Sequence, residues 1–272
     1  MNNWQPQMMH KTTNLFWLYV HLTQRKEGLF IMGKICLFGD SISKGVIIDE
    51  IRDRYAMTKN CFANILSAGE SALDLNNYSM LGCTIMKGKS MIERHKKDVQ
   101  NCDVMVLEYG GNDSDHNWKE ISENPTGEHL PKTPIEEFVS SYRDIINGLN
   151  EMGKKIVMLN LPPIDEHKYF EWISRGLDKD KILQWLGGTD EFIYRWHEIY
   201  NVKVCNIASE YNIPIIDIRS AFLEKRNYTD FLCNDGIHPN EKGHEIIAEA
   251  ISRAIPNLEQ AILSKSILEK GA

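Results

Sequence analysis

Ile35-Cys36-Leu37-Phe38-Gly39-Asp40-Ser41 is the stretch on which the fold class turns. Four consecutive apolar residues closed by a glycine and two polar residues suit a strand buried on both faces of a parallel sheet. Such a strand delivers the residues after it to the carboxyl edge of the sheet, where open α/β proteins bind ligands. Further runs of the same kind follow. Cys61 to Leu66 reads as a second strand, ending before Ser67-Ala68-Gly69. Val104-Met105-Val106-Leu107 reads as a third, ending in Glu108-Tyr109-Gly110-Gly111-Asn112-Asp113. Lys155 to Leu159 is the fourth, stopped by Pro162-Pro163, and Pro214 to Ile218 is the fifth.

Helical patterns separate these runs. Met86 to Gln100 is polar and rich in Lys and Glu. Pro134 to Met152 places Phe138, Tyr142, Ile145, Ile146 and Leu149 at helical spacing, with Pro near its start and Gly153 after its end. Thr189 to Tyr211 and Asn240 to Ile255 read as further helices, and Ser71 to Leu75 as the start of one. Ser43 to Tyr55 reads as a loop leading into a possible helix, and Asp165 to Gly188 as irregular and aromatic-rich. Alternating strands and helices imply parallel strands with crossover helices on both faces, an α/β sandwich. One domain is expected over residues 32–272, with an insertion of helical and aromatic character at about 164–188. Residues 1–31, rich in Asn, Gln, Met and His, read as an N-terminal extension that adds little to the fold.

The chain has 272 residues and a formal net charge of −7, without a Lys/Arg-rich run. A nucleic-acid or anionic-membrane partner needs a basic face, so both are disfavoured. No run approaches the roughly 18–20 apolar residues of a membrane span. Leu15 to Leu22 carries Trp17, Tyr19 and His21 and is followed by no small-residue cleavage site, unlike a signal peptide. The six cysteines are dispersed without a CxxC pair and read as small buried hydrophobes in a reducing compartment. A cytoplasmic location is expected. Oligomeric state is not legible.

Ser41, Gly69 and Asn112 each lie just past the end of a read strand, which brings all three to one rim. A serine hydroxyl is a poor nucleophile until a base removes its proton. His238 stands in Asp235-Gly236-Ile237-His238-Pro239, where a tight loop can bring the carboxylate to the imidazole Nδ1–H. Asn112 offers an amide donor to a developing oxyanion, and Gly69 a backbone N–H with no side chain in the way. Each has a plainer reading as a cap or turn residue. Asp40 reads as the organiser of its turn and Asp113 as a cap for the following segment, while Glu108 receives no role. His116, His129, His167, His197 and His244 show no metal-ligand spacing and read as surface histidines. The aromatic residues at 170, 172, 185, 192 and 196 read as core or as an apolar wall over the site.

Taken in order, Phe38-Gly39-Asp40-Ser41-Ile42, Asn64 with Ser67-Ala68-Gly69-Glu70-Ser71, Gly110-Gly111-Asn112-Asp113 and Asp235-Gly236-Ile237-His238-Pro239-Asn240 resemble the four blocks of the SGNH hydrolases, the GDSL-type lipases and esterases. Ile42 stands where Leu is commoner, and Glu70 where Asp is often found. The resemblance implies a flavodoxin-like three-layer α/β/α fold with a central five-stranded parallel sheet. It implies Ser41 as nucleophile, His238 as general base, Asp235 as its orienter, and an oxyanion hole of the Ser41 N–H, the Gly69 N–H and the Asn112 side chain. It implies no metal and no organic cofactor. The expected reaction is hydrolysis of a carboxylic ester through an acyl-enzyme, with a short acyl group on a carbohydrate or small molecule as substrate. Acyl transfer to a sugar hydroxyl, a lipid esterase or thioesterase, and a non-catalytic binding module remain alternatives.

Overall fold

The computed structural model describes residues 33–69 and 73–270, with side chains described as far as Leu258. The extension expected over residues 1–31 lies outside the described residues. Five strands, β1 (Lys34–Gly39), β4 (Asp74–Asn77), β5 (Val104–Glu108), β6 (Lys155–Leu159) and β7 (Ile215–Ile216), form one parallel sheet in the order β4-β1-β5-β6-β7. Successive side chains of a strand point to opposite faces. Ile35, Leu37, Val104, Val157 and Leu159 accordingly pack into one core, and Cys36, Phe38, Met105, Leu107, Ile156 and Met158 into another. The continuous apolar runs follow from this double burial. Each large side chain fully removed from water contributes about 1.5–3 kcal/mol.

Three helices cover the first face: α2 (Phe62–Ala68), α10 (Ile218–Leu223) and α11 (Glu241–Lys270). On the second lie α3 (Ile85–Arg94), α4 (Lys96–Gln100), α6 (Ile135–Glu151) and α9 (Glu191–Glu210). Helix α6 buries Phe138, Tyr142, Ile145, Ile146 and Leu149, the stripe read from its spacing.

Four local readings need correction. Cys61 to Leu66 is helix α2, not a strand. Its buried residues Phe62, Ala63 and Leu66 recur at helical spacing against α11, and a short apolar run cannot distinguish the two states. The missing strand is β4, whose Asp-Leu-Asn-Asn sequence carries little hydrophobic signal because it lies at the sheet edge. Ser71 to Leu75 reads as a helix start, but Asp74 and Leu75 belong to β4, and residues 71–72 lie outside the described residues. Ser43 to Tyr55, which reads as a loop leading into a possible helix, instead follows a one-turn helix α1 (Ser41–Lys44) into an antiparallel hairpin of β2 (Val46–Asp49) and β3 (Arg54–Met57). The aromatic-rich segment 165–188 contains helices α7 (Glu166–Ile173) and α8 (Lys179–Leu186), not irregular chain. Asp165 and Asp178 cap them by accepting the Lys168 and Lys181 N–H groups. With α5 (Trp118–Glu123) they form a satellite core of Trp118, Ile121, Tyr169, Phe170, Ile182 and Leu186.

Candidate active site

Strand β1 ends at Gly39, and Asp40 caps α1 by accepting the Ile42 N–H at 2.9 Å. This turn holds Ser41 at the carboxyl edge of the sheet, with its N–H at the open end of α1 and no acceptor for that N–H among the described residues. The loop before α11 arrives at the same edge. Within it the Gly236 N–H donates to the Cys233 carbonyl at 3.0 Å, and the Cys233 N–H to the His238 carbonyl at 2.7 Å. Gly236 has φ +73°, and a side chain there would meet the Asp165 carbonyl at 2.4 Å. Only glycine fits this turn.

Asp235 uses both oxygens on His238. Its Oδ1 accepts the His238 backbone N–H at 3.1 Å, and its Oδ2 lies 2.5 Å from Nδ1. The other ring nitrogen, Nε2, lies 2.8 Å from Ser41 Oγ. Nδ1–H therefore donates to the carboxylate, leaving Nε2 to accept the serine hydroxyl proton. All three residues are buried, Asp235 completely. The Tyr55 ring stands edge-on to His238 at 5.2 Å, carried there by the β2–β3 hairpin. Trp172 Nε1–H donates to the Tyr55 hydroxyl at 3.2 Å, so α7 and the hairpin meet over the imidazole.

A buried carboxyl pair supports the turn from below. Asp40 and Glu108 are 1% and 0% exposed, and no Lys or Arg pairs with either among the described residues. Glu108 Oε2 accepts the Asp40 N–H at 3.2 Å and the Ser43 hydroxyl at 2.8 Å. A side chain at position 39 would lie 2.8 Å from that same oxygen, which explains Gly39. Burial, then the neighbouring Asp40 charge, holds the Glu108 carboxyl well above the usual range. Burial raises the Asp40 carboxyl as well, so the pair resists ionising together. Asp40 Oδ2 accepts one N–H of the Asn112 amide at 2.9 Å, which orients that side chain along the cavity wall. Asp40 thus organises its turn as read. Asp113 caps α3 across space, accepting the Ile85 N–H at 2.9 Å, rather than its own following segment.

Gly69 does not reach the site. Its N–H donates to the Ile65 carbonyl at 3.0 Å, ending α2, and the residue is absent from the cavity wall. Gly82 stands there instead, with φ +67° and no acceptor for its N–H among the described residues. The chain after β4 stays beside β1: the Tyr78 N–H donates to the Leu37 carbonyl and the Met80 N–H to the Gly39 carbonyl. That continuation carries Gly82 to the edge beside Ser41. The available signal was Asn77-Tyr78-Ser79-Met80-Leu81-Gly82, a polar edge strand running into a glycine, which the apolar run at Cys61 outweighed.

Ser41, Gly82, Asn112 and His238 share one cavity of about 430 Å³. Trp172, Trp185, Phe192 and Trp196 line it, whereas Phe170 packs in the satellite core. His116, His197 and His244 are buried, not surface residues; the first two line the cavity. Burial lowers His116 and His244 to about 4 and His197 to about 3, so all three are neutral at pH 7.

Residues 35–251 match the family of GDSL-like lipases and acylhydrolases. The chain belongs to that family. Among relatives of this GDSL-like chain, a GDSL esterase/lipase of Oryza sativa subsp. japonica is 23% identical over 57% of this chain and 54% of its own length. An acetylxylan esterase of Xylanibacter ruminicola is 30% identical over 56% of this chain and 28% of its own. The chain spans about half the length, or less, of the curated relatives it matches. In structure it is similar to LAE5, an alpha/beta hydrolase enzyme from the metagenome of Lake Arreo, with a TM-score of 0.57 at 19% identity over 83% of this chain and 96% of that one. An acetylxylan esterase from Geobacillus stearothermophilus gives 0.55 at 20% identity over 82% and 94%. These two likenesses show a shared fold. Among the described residues no helix is long and apolar enough to cross a membrane.

Proposed function

We propose that the protein hydrolyses a carboxylic ester at Ser41. His238 Nε2 takes the hydroxyl proton as Oγ attacks the ester carbonyl, and Asp235 holds the ring and stabilises the imidazolium that forms. The oxyanion is received by the Ser41 N–H, the free N–H of the Asn112 amide and the Gly82 N–H. The alcohol leaves with the proton from His238, and water then cleaves the acyl-enzyme by the same route. The observation that carries this reading is the continuous chain from Ser41 Oγ to His238 at 2.8 Å and from His238 to Asp235 at 2.5 Å.

The preferred substrate is a short acyl ester of a carbohydrate. Support comes from the aromatic cavity beside Ser41 and from likeness to acetylxylan esterases. All six cysteines are unpaired, which supports a reducing compartment. Initial rates on p-nitrophenyl acetate and p-nitrophenyl octanoate test both points. Ser41→Ala is expected to lower the rate by at least about 10³-fold, and wild type is expected to favour the acetyl ester. A Ser41→Ala variant as active as wild type sinks the mechanism. A preference for octanoate sinks the short-acyl assignment alone.

A further inference from the structure

We infer that His116 and His197 form a hydroxyl-reading subsite that holds the neutral sugar ring of the substrate while Ser41 attacks its ester. The inference rests on the ester-hydrolase reading and assigns the alcohol half of the substrate to named residues.

Three observations converge. First, the cavity of about 430 Å³ is much larger than an acetyl group requires and falls in the range of about 300–1,000 Å³ that holds small-molecule ligands. Second, its wall carries polar atoms without protein partners. His116 is 6% and His197 7% exposed, and among the described residues neither ring makes a hydrogen bond. His197 Nδ1 and Trp196 Nε1 are also buried without partners. Those two atoms are sealed off, whereas the His116 ring nitrogens and His197 Nε2 are not sealed off and belong to residues of the cavity wall, so a ligand hydroxyl there would meet polar atoms that the protein leaves unpartnered. Third, aromatic rings surround these atoms. Trp185 lies 5.0 Å from the His116 ring, edge-on, and Trp196 lies at 5.9 Å.

The chemistry selects the ligand. Burial keeps both imidazoles neutral, so each ring offers one donor and one acceptor. A hydroxyl is likewise both donor and acceptor, and adjacent ring hydroxyls match two neutral imidazoles. The apolar C–H faces of a sugar ring suit the indole walls. Among the described residues the charged side chains of the wall are already engaged. Asp115, on the cavity wall, already accepts from Trp118 Nε1–H at 2.8 Å, the Tyr169 hydroxyl at 2.6 Å and Lys132 Nζ at 2.6 Å. Lys132 is held by that same carboxylate, so an anionic sugar gains no free cation from it.

The test compares acetylated xylobiose with p-nitrophenyl acetate on wild type, His116→Phe and His116→Gln. Phe keeps the ring packing and removes both polar atoms; Gln restores a donor and an acceptor. Losing one buried hydrogen bond to the ligand is expected to lower the ratio of kcat/KM for the sugar ester over the aryl ester about tenfold in His116→Phe, through KM. His116→Gln is expected to recover part of that ratio. Equal losses on both substrates, or no change in the ratio, overturns the subsite. Should His116→Phe not fold, product inhibition of wild type decides the matter. Free xylobiose is expected to inhibit at lower concentration than glucuronate, and the reverse order overturns the inference. Quenching of tryptophan fluorescence by xylobiose in Ser41→Ala reads the subsite without turnover. Quenching there beside undiminished ester hydrolysis would sink the mechanism while sparing the subsite.

Discussion

Glu108 received no role from its place in the strand, yet it lies under the turn that presents Ser41. One of its oxygens takes two donors, the Asp40 N–H and the Ser43 hydroxyl, in a fully buried setting. Asp40 in turn accepts the Asn112 amide, so Glu108 bears on the site through the turn it supports. Glu108→Gln cannot ionise and retains an acceptor for both donors. Its activity at pH 7 is expected to stay within about threefold of wild type, under the cost of one weak hydrogen bond. Wild type is expected to slow at alkaline pH as Glu108 ionises and repulsion between the two buried carboxylates disturbs the turn that holds Ser41; Glu108→Gln should lack that decline. Rate profiles from neutral to alkaline pH check this, and an identical decline in both proteins removes the pair from the account. Glu108→Leu strands two buried donors and is expected to cost about 2–4 kcal/mol in urea unfolding.

The loop between Leu232 and Asn240 joins two units that are distant in sequence. It brings Asp235 and His238 to Ser41 and receives the N-terminus of α7 through the Asp165 N–H, which donates to the Gly236 carbonyl at 2.8 Å. Gly236 is the contact point. Any Cβ there overlaps the Asp165 carbonyl and the Tyr169 N–H, in a backbone conformation that L-residues rarely adopt. Gly236→Ala is expected to lose at least about 2 kcal/mol of stability from strain and overlap together. Because the displaced loop also carries His238, kcat should fall by more than the loss of folded protein explains. Active-site titration with a fluorophosphonate, alongside thermal unfolding, separates the two effects. An alanine variant with wild-type kcat refutes the coupling. By contrast, the exposed Arg175–Asp53 pair between α7 and the hairpin, at 2.9 Å, adds at most about 1 kcal/mol.

Across the fold, three histidines are buried in the neutral form, and this sets a pH limit on stability. His244 lies on α11 against Phe62 at 6.1 Å, with both ring nitrogens unpartnered. Burial, then the nearby His238, lowers it to about 4. Its unfolded value is near 6.5, so from about pH 6.5 down to about 4 the unfolded chain takes up a proton that the folded chain refuses. Stability is present above that window and falls with pH inside it, by about 1.4 kcal/mol per unit for one such histidine. His244→Leu removes one histidine's share and two unsatisfied polar atoms. The variant is expected to show a shallower acid slope in urea midpoint over that window and to be the more stable protein at pH 5. Parallel slopes for the two proteins contradict the assignment.

What could be read from the residues alone was whatever depends on local order and burial. Four of the five sheet strands announce themselves as apolar runs, and Ser41, Asn112, Asp235 and His238 stand out as polar residues of turns once the four blocks are read together. Helix α6 is legible from its spacing and its Pro and Gly boundaries. Other features depended on long-range packing. Strand β4 is polar because it is an edge, α2 is helical because α11 covers its apolar stripe, and Gly82 rather than Gly69 reaches the site because chain beyond β4 keeps its ladder with β1. Burial of His116, His197 and His244 carries no local signature, since a histidine's surroundings come from elements far away in the chain. The physical reason is one of range: backbone periodicity and turn chemistry act within a few residues, whereas burial and the meeting of Ser41 with His238, 197 positions apart, are properties of the folded chain.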